Sequence, residues 1–277
     1  MKIVHVHHHY WPVIGGLENV VKALAEGMVR LGHEVHVITS RYGAEDRPRE
    51  EVINGVYIHR VKSIRLRYPD LTYPIEIPRD VLRNADIVHG HSQNSLFTMR
   101  MVEEVKRLGV KTVMHFMAVD ALRDHPNTLI RLLGPIYSDI MLRRALSFAN
   151  IHLARSLRDK ELLESRFNVN VEYVPDGVPK WFIEHDHAEN SFRHKYGVNG
   201  DYVLYMGRLH PLKGIDVLLR AMSIVVNKID LRLVIVGPGD KRPYVRLARR
   251  FGIDRYVLFL GFISEEDKIG AIDGSVC

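Results

Sequence analysis

Arg208 and Lys213 follow the apolar run YVLYMG at 202–207 and come just before Gly214, where a helical pattern starts. Two cations at the end of a strand, beside a helix N-terminus, stand where open α/β sheets bind ligands, and a diphosphate would suit them. Either side chain alone could be a solvated loop charge; their paired placement favours the anion site. A second anion candidate is Gly15–Gly16, ahead of Leu17, Val20, Val21, Leu24, Met28 and Leu31, which recur at the spacing of a helix face. Glycine lets a ligand approach the free N–H groups of a helix start, whose dipole favours negative charge. A simple tight turn would read the same way. The fingerprint GxGxxG is absent from this loop, which counts against a nicotinamide enzyme.

Histidines crowd the first strand end, where His5, His7, His8 and His9 follow one another. Imidazole is a common zinc ligand, yet neighbours in an extended strand point to opposite faces, and no Cys or HExxH accompanies them. They read as cleft-lining or packed histidines. His115 ends the run KTVMHF, and Asp120 and Asp124 after it suit either an acceptor contact or a solvent loop.

These residues need a frame, and the length supplies one. With 277 residues, 46% hydrophobic and 26% charged, the chain has the composition of a globular protein of two ordinary domains, not of a disordered or disulfide-built one. Lys and Arg total 39 against 33 Asp and Glu, a formal +6 that favours anionic partners without selecting one. The single cysteine, Cys277, allows no internal disulfide and fits a reducing compartment, so the cytoplasm is expected. No export signal or uncharged spanning stretch is found. The stretch LIRLLGPIYSDIMLRRALSF at 129–148 reads as a core helix interrupted at Gly134–Pro135, with an interfacial helix on anionic lipid as the alternative. No basic groove interleaved with aromatics appears, so nucleic acid is not an expected partner.

Short β-rich runs at 2–6, 34–39, 56–61, 86–91, 111–116, 150–154 and 171–175 alternate with helical patterns, which predicts a parallel sheet with helices on both faces. Residues 175–200 are polar and turn-rich and read as a linker. A second cycle follows at 202–207, 231–237 and 256–262. The fold expected is α/β, with two doubly wound Rossmann-like domains, 1–178 and 179–277, the second incomplete.

With the elements in place, GRLHPLKGIDVLLRAM at 207–222 resembles the G-R-L-x-x-x-K-G-x-D-x-L-L-x-A segment of the retaining family 4 glycosyltransferases, whose two Rossmann-like domains form the GT-B fold. HVHHHYWPVIGGLENVVKALAEGMVRLGHEVHVIT looks like that family's opening strand, Gly-Gly-x-Glu loop and first helix; DIVHGHS and KTVMHFMAVD look like its strand ends. VPDGV at 174–178 resembles its P-N-G-V, with Asp176 in place of Asn, and LVIVGPG at 233–239 and YVLFLGFISEED at 256–267 continue the match.

The resemblance implies transfer of a sugar from a nucleotide diphosphate sugar to a carbohydrate or lipid-linked acceptor, with retention and without an obligatory metal or other cofactor. It implies that Arg208 and Lys213 neutralise the donor diphosphate, that Gly15 and Gly16, with Gly237 and Gly239, line the donor site, and that His115 meets the donor sugar near the reacting centre. The family's next segment carries a Glu-x7-Glu pair, and this chain stops at Cys277 before it, so a truncated, half-built donor site is expected. Glu265 and Asp273, or Glu18 and Glu26, have the same separation but read as solvated helix charges. An inactive remnant and a sugar-nucleotide epimerase are the alternatives.

Overall fold

The computed structural model describes residues 1–66, 71–123, 125, 127–178, 180–184 and 189–277. It divides into two units, Met1–Gly177 and Val178–Cys277. Asp124 lies outside the described residues.

In the first unit the elements are β1 (Lys2–Val6), α1 (Gly16–Arg30), β2 (Glu34–Ser40), β3 (Glu50–Ile53), β4 (Val56–Val61), β5 (Ser63–Leu66), β6 (Leu71–Pro74), α2 (Arg79–Arg83), β7 (Ile87–His91), α3 (Leu96–Arg107), β8 (Lys111–Phe116), α4 (Thr128–Phe148), β9 (Ile151–Ala154), α5 (Leu157–Phe167) and β10 (Glu172–Tyr173). The main sheet has the order β10-β9-β8-β7-β1-β2-β4-β3, parallel except for the edge pair β3–β4. From β1 the chain first builds outward through β2 to β4, then returns and builds the other way from β7. The strand order therefore reverses between β1 and β7, and the carboxyl ends of strands at such a reversal are where open α/β sheets take ligands.

The period of two in each strand decides the layers. Val4, Val6, Ile38 and Val88 pack under Leu82, Phe97 and Met101 of α2 and α3 on one face. Val35, Val37 and Ile58 pack under Val21 and Ala25 of α1 on the other. Helix boundaries follow local chemistry. The Ser95 and Ser156 hydroxyls accept from Thr98 and Asp159 N–H as N-caps. Gly32, at φ +84°, takes the left-handed turn that closes α1 through its N–H to Val29 carbonyl, 2.9 Å.

Two sequence expectations change here. Helix α4 runs unbroken through Pro135, and one face of it, with Gly134, Tyr137, Met141, Leu142 and Ala145, turns inward. Its other face exposes Leu129, Leu132, Leu133, Ile136 and Ile140, each more than half accessible. No described helix is long and apolar enough to cross a membrane.

The second unit comprises α6 (Lys180–Ile183), α7 (Glu189–Tyr196), β11 (Tyr202–Met206), α8 (Ile215–Val225), β12 (Arg232–Val236), α9 (Arg242–Arg250), β13 (Val257–Gly261) and α10 (Glu265–Asp273). Its three strands are parallel in the order β11-β12-β13. Helices α8 and α9 cover one face around Leu219, Met222 and Ala248; α7 and α10 cover the other through Phe192 and Ala271. The expected linker thus includes a structural helix. Phe192 is fully buried, and Asp267 of α10 accepts from Lys195 Nζ at 2.7 Å and Tyr196 Oη at 3.0 Å.

Candidate functional site

In the second unit the strand ends are organised by glycine. Beyond β12, Gly237 and Gly239 have φ of +139° and +133°, where L side chains rarely go. A Cβ on Gly237 would lie 2.0 Å from the Gly207 carbonyl oxygen, and one on Gly239 2.7 Å from that of Leu209. Their bareness lets the two loops run flush, joined by Gly207 N–H to Val236 carbonyl at 2.9 Å and Leu209 N–H to Pro238 carbonyl at 2.8 Å. Arg208 is therefore presented from a backbone held on both sides.

Lys213 ends a tight 3-10 turn, Pro211–Lys213, started by the His210 ring, which accepts from Leu212 N–H at 3.3 Å. Gly214 then turns left-handed at φ +65° and opens α8. Both cations are exposed, and no ion pair joins either to a described carboxylate. Two cationic side chains beside a helix N-terminus suit a polyanion. A neighbouring groove of about 390 Å³, walled by Leu209, Pro211, Tyr244 and Leu247, is edged by Asp216 and Asp240.

In the first unit, α1 begins at Gly16 with Gly15 as its N-cap, in extended backbone at φ −165°. A Cβ on Gly15 would meet the Glu18 carboxylate at 2.1 Å, because that side chain folds back over the first turn. A Cβ on Gly16 would meet nothing within 4 Å. Packing therefore explains the bare Cα at Gly15 and leaves Gly16 unexplained. Glu18 is not the solvated helix charge expected from sequence: its side chain is mostly buried and lies 3.7 Å from Nε2 of fully buried His7. Glu26, by contrast, pairs with Lys22 at 2.8 Å, and Glu265 pairs with Lys268.

His115 stands at the end of β8, in register with His91 of β7. It is 2% exposed, its Nε2 lies 3.2 Å from the Val174 carbonyl oxygen, and its Nδ1 has no partner. Burial, with Arg155 nearby, pushes its pKa down to about 4, so the ring is neutral at physiological pH. The segment that carries Val174 is tied down by Asp176, 3.1 Å from Arg155 Nη1. Asp120 accepts from Arg123 and from Arg166, both at 3.0 Å, which makes it an internal clamp.

Each unit thus gathers part of the set. Arg208, Lys213, Gly237 and Gly239 share the loops after β11 and β12; Gly15 and Gly16 open α1 after β1, and His115 closes β8 with β7 between them. Sequence reasoning took Glu18 for a solvated charge and did not single out Arg155, His89 or His91. The H-x-H alternation in DIVHGH was the available signal for the last two, since alternate strand residues share a face.

Two consecutive parallel α/β units with ligand-type loops at their strand ends define the class, a protein of GT-B fold. The chain superimposes on Anabaena HepE in complex with UDP-glucose with a TM-score of 0.72, at 17% identity, covering 99% of this chain and 72% of that one. It is 32% identical to an uncharacterized glycosyltransferase of Methanocaldococcus jannaschii over 95% of its own length and 70% of that protein's. It is 26% identical to the phosphatidylinositol N-acetylglucosaminyltransferase gpi3 subunit of Schizosaccharomyces pombe over 84% of its own length, and spans 50% of that subunit. Residues 14–180 match Glycosyltransferase Family 4, and residues 200–275 match the glycosyl transferases group 1; the chain belongs to Glycosyltransferase Family 4.

Proposed function

We propose that this glycosyltransferase moves a sugar from a nucleotide diphosphate sugar to an acceptor hydroxyl with retention at the anomeric carbon. The observation that carries the reading is the pair Arg208 and Lys213, exposed, cationic and unmatched by a described carboxylate at the β11 end. When the bond from the anomeric carbon to the phosphate oxygen breaks, its electron pair stays on the diphosphate. Fixed cations stabilise that charge as it grows, with no metal needed on the reaction path. Within the first unit, the Gly16 N–H, which no Cβ shields, suits a phosphate oxygen. His115, held neutral with its Nε2–H on the Val174 carbonyl, keeps the Nδ1 lone pair to accept from a hydroxyl of the donor sugar.

The acceptor class we favour is lipid-linked, at the inner face of a membrane. The exposed apolar stripe of α4, Leu129 to Ile140, is flanked by Arg131, Arg143 and Arg144 and suits peripheral contact with anionic lipid. The phosphatidylinositol in the name of the fission-yeast relative points the same way.

Calorimetric titration of the full chain with UDP-glucose, UDP-N-acetylglucosamine and GDP-mannose tests the donor. Saturable binding of one of them is expected, lost in Lys213→Ala while the circular dichroism spectrum is kept. If none binds to folded protein, the reading gives way to that of a chain that folds but transfers nothing. A product with an inverted sugar stereocentre, formed without acceptor, would instead make it an epimerase. Omitting Mg²⁺ is expected to leave turnover unchanged.

A further inference from the structure

The carboxyl ends of β1, β7 and β8 carry His5, His7, His89, His91 and His115, and strand register puts all five on one face of the sheet. His5 pairs with His89, and His91 with His115; the others lie two residues along their own strands. Hydrophobic side chains occupy the opposite face. Sequence alone could not assemble this group, because it depends on which strands are neighbours.

Within it, His5, His89 and His91 form a compact triangle. Their ring centroids are 5.3, 5.3 and 4.2 Å apart. One nitrogen from each ring lies within 4.8 Å of the other two, and all three residues are buried. No described Lys, Arg, Asp or Glu is hydrogen-bonded to any of the three. His5 Nδ1 is 3.0 Å from His91 Nε2, and His5 Nε2 is 3.3 Å from Met28 Sδ. With His5 donating to the thioether and the His91 proton on Nδ1, the lone pairs of His5 Nδ1 and His91 Nε2 face each other with no proton between them, and His91 Nδ1 and His89 Nε2, both buried, have no hydrogen-bond partner. A buried polar nitrogen without a partner is costly, and one that lacks a donor is satisfied by a cation as well as by an N–H.

We propose that His5, His89 and His91 are a structural binding site for one transition-metal ion of the imidazole-preferring d10 class, zinc(II) or copper(I), independent of the sugar-transfer reaction. Zinc–imidazole bonds of about 2.0–2.1 Å place ligand nitrogens roughly 3.3 Å apart, so the rings need to close by no more than about 1.5 Å from their present spacing. Neutral nitrogen is what such a metal requires, and burial already holds all three rings well below their ordinary pKa. Met28 beside His5 adds a soft second neighbour that suits copper(I). Among these rings there is no carboxylate to offset a second positive charge, which also favours the monovalent ion.

The test uses the full-length protein, stripped with chelator and titrated separately with Zn²⁺ and, under anaerobic conditions, with Cu⁺. At least one is expected to bind at one ion per chain and raise the melting temperature by about 5–10 °C at a hundredfold excess over its dissociation constant. His89→Gln and His91→Gln should each weaken that binding at least tenfold and abolish the rise, with the metal-free melting temperature little changed. Saturation with neither ion, or equal binding in both variants, overturns the site. Should the variants not fold, X-ray absorption of the loaded wild type decides: three imidazole shells support the site, and a shell without them refutes it. Which ion binds more tightly separates the zinc arm from the copper arm.

Discussion

The two units end their parallel strands in opposite chemistries. At the ends of β1, β7 and β8 the first unit buries neutral imidazoles, His5 and His115 each pushed down to about 4. At the end of β11 the second unit exposes the cationic side chains of Arg208 and Lys213. The same topology thus yields an interior that excludes charge and a rim that concentrates it. Desolvation decides the first case: a ring removed from water keeps its lone pair at the cost of its proton. Exposure decides the second, since a guanidinium and an ammonium left in solvent keep full charge for whatever anion displaces the water.

The largest expected effect follows from that contrast. A group with a depressed folded pKa contributes stability that is complete above its unfolded value and disappears as pH falls toward the folded one. For His5 and His115 that window runs from 6.5 down to about 4, and each contributes on the order of 3 kcal/mol. His7, His89 and His91 are shifted the same way by burial; Glu18 beside His7 and Asp176 near His115 oppose the shift, and Arg155 adds to it. In metal-free protein the first unit should therefore unfold between about pH 5 and 4. The second unit should outlast it. Its α7–α10 clamp rests on Asp267, a carboxylate held below its usual value of 3.8 mainly by Lys195, Ser264 and Tyr196 against burial, so its contribution is lost only as pH falls through that lower value. Hydrogen exchange resolved by peptide at pH 7, 5 and 4 checks this; simultaneous loss of protection in both units would break the comparison.

Charge removal comes next in size. Arg208→Ala and Lys213→Ala are each expected to lower turnover by about 10²–10³-fold, with melting temperature unchanged because both side chains are exposed. Arg208→Lys keeps the charge but not the planar fork, and should recover only part of the loss. Equal rates for Arg208→Lys and wild type would show that bare charge suffices. Behind these, Gly237→Ala sets a Cβ against the Gly207 backbone at an unfavourable φ, with an expected cost of about 3 kcal/mol to the second unit alone. Urea unfolding followed in that unit reads it.

Much of this frame is legible in residue order. KIVHV, EVHVIT and KTVMHF announce their strands by β-branched alternation, and Ser156 announces α5 by its capping hydroxyl. Arg208 and Lys213 are legible because strand end, turn and helix start are contiguous in the chain. What fails to show depends on partners distant in sequence. The helix Glu189–Tyr196 reads as a linker because only Phe192 and Tyr196 face its core, and Asp267, which receives it, lies far downstream. Glu18 reads as solvated because nothing local says that His7 will be buried against it. The triangle of His5, His89 and His91 needs the β1–β7 register, which hydrogen bonding sets only when the sheet closes.

The smallest expected effect sharpens the comparison most, because it separates stability from function at one atom. Gly16 opens α1, and a methyl there would meet open space. Alanine is the better helix former by about 0.5–1 kcal/mol, so Gly16→Ala should leave the first unit as stable as before or slightly more so. The same methyl would stand over the free N–H groups of the first turn, where the proposed site receives a phosphate oxygen. Donor affinity should then fall about tenfold, roughly the contribution of one charge-assisted hydrogen bond. Gly15→Ala is the control: its Cβ displaces the Glu18 carboxylate and disturbs His7, so it should cost stability and alter the acid transition. If Gly16→Ala were stabilised and bound donor as well as wild type, the opening of α1 would be a turn and nothing more, and the anion would belong to Arg208 and Lys213 alone.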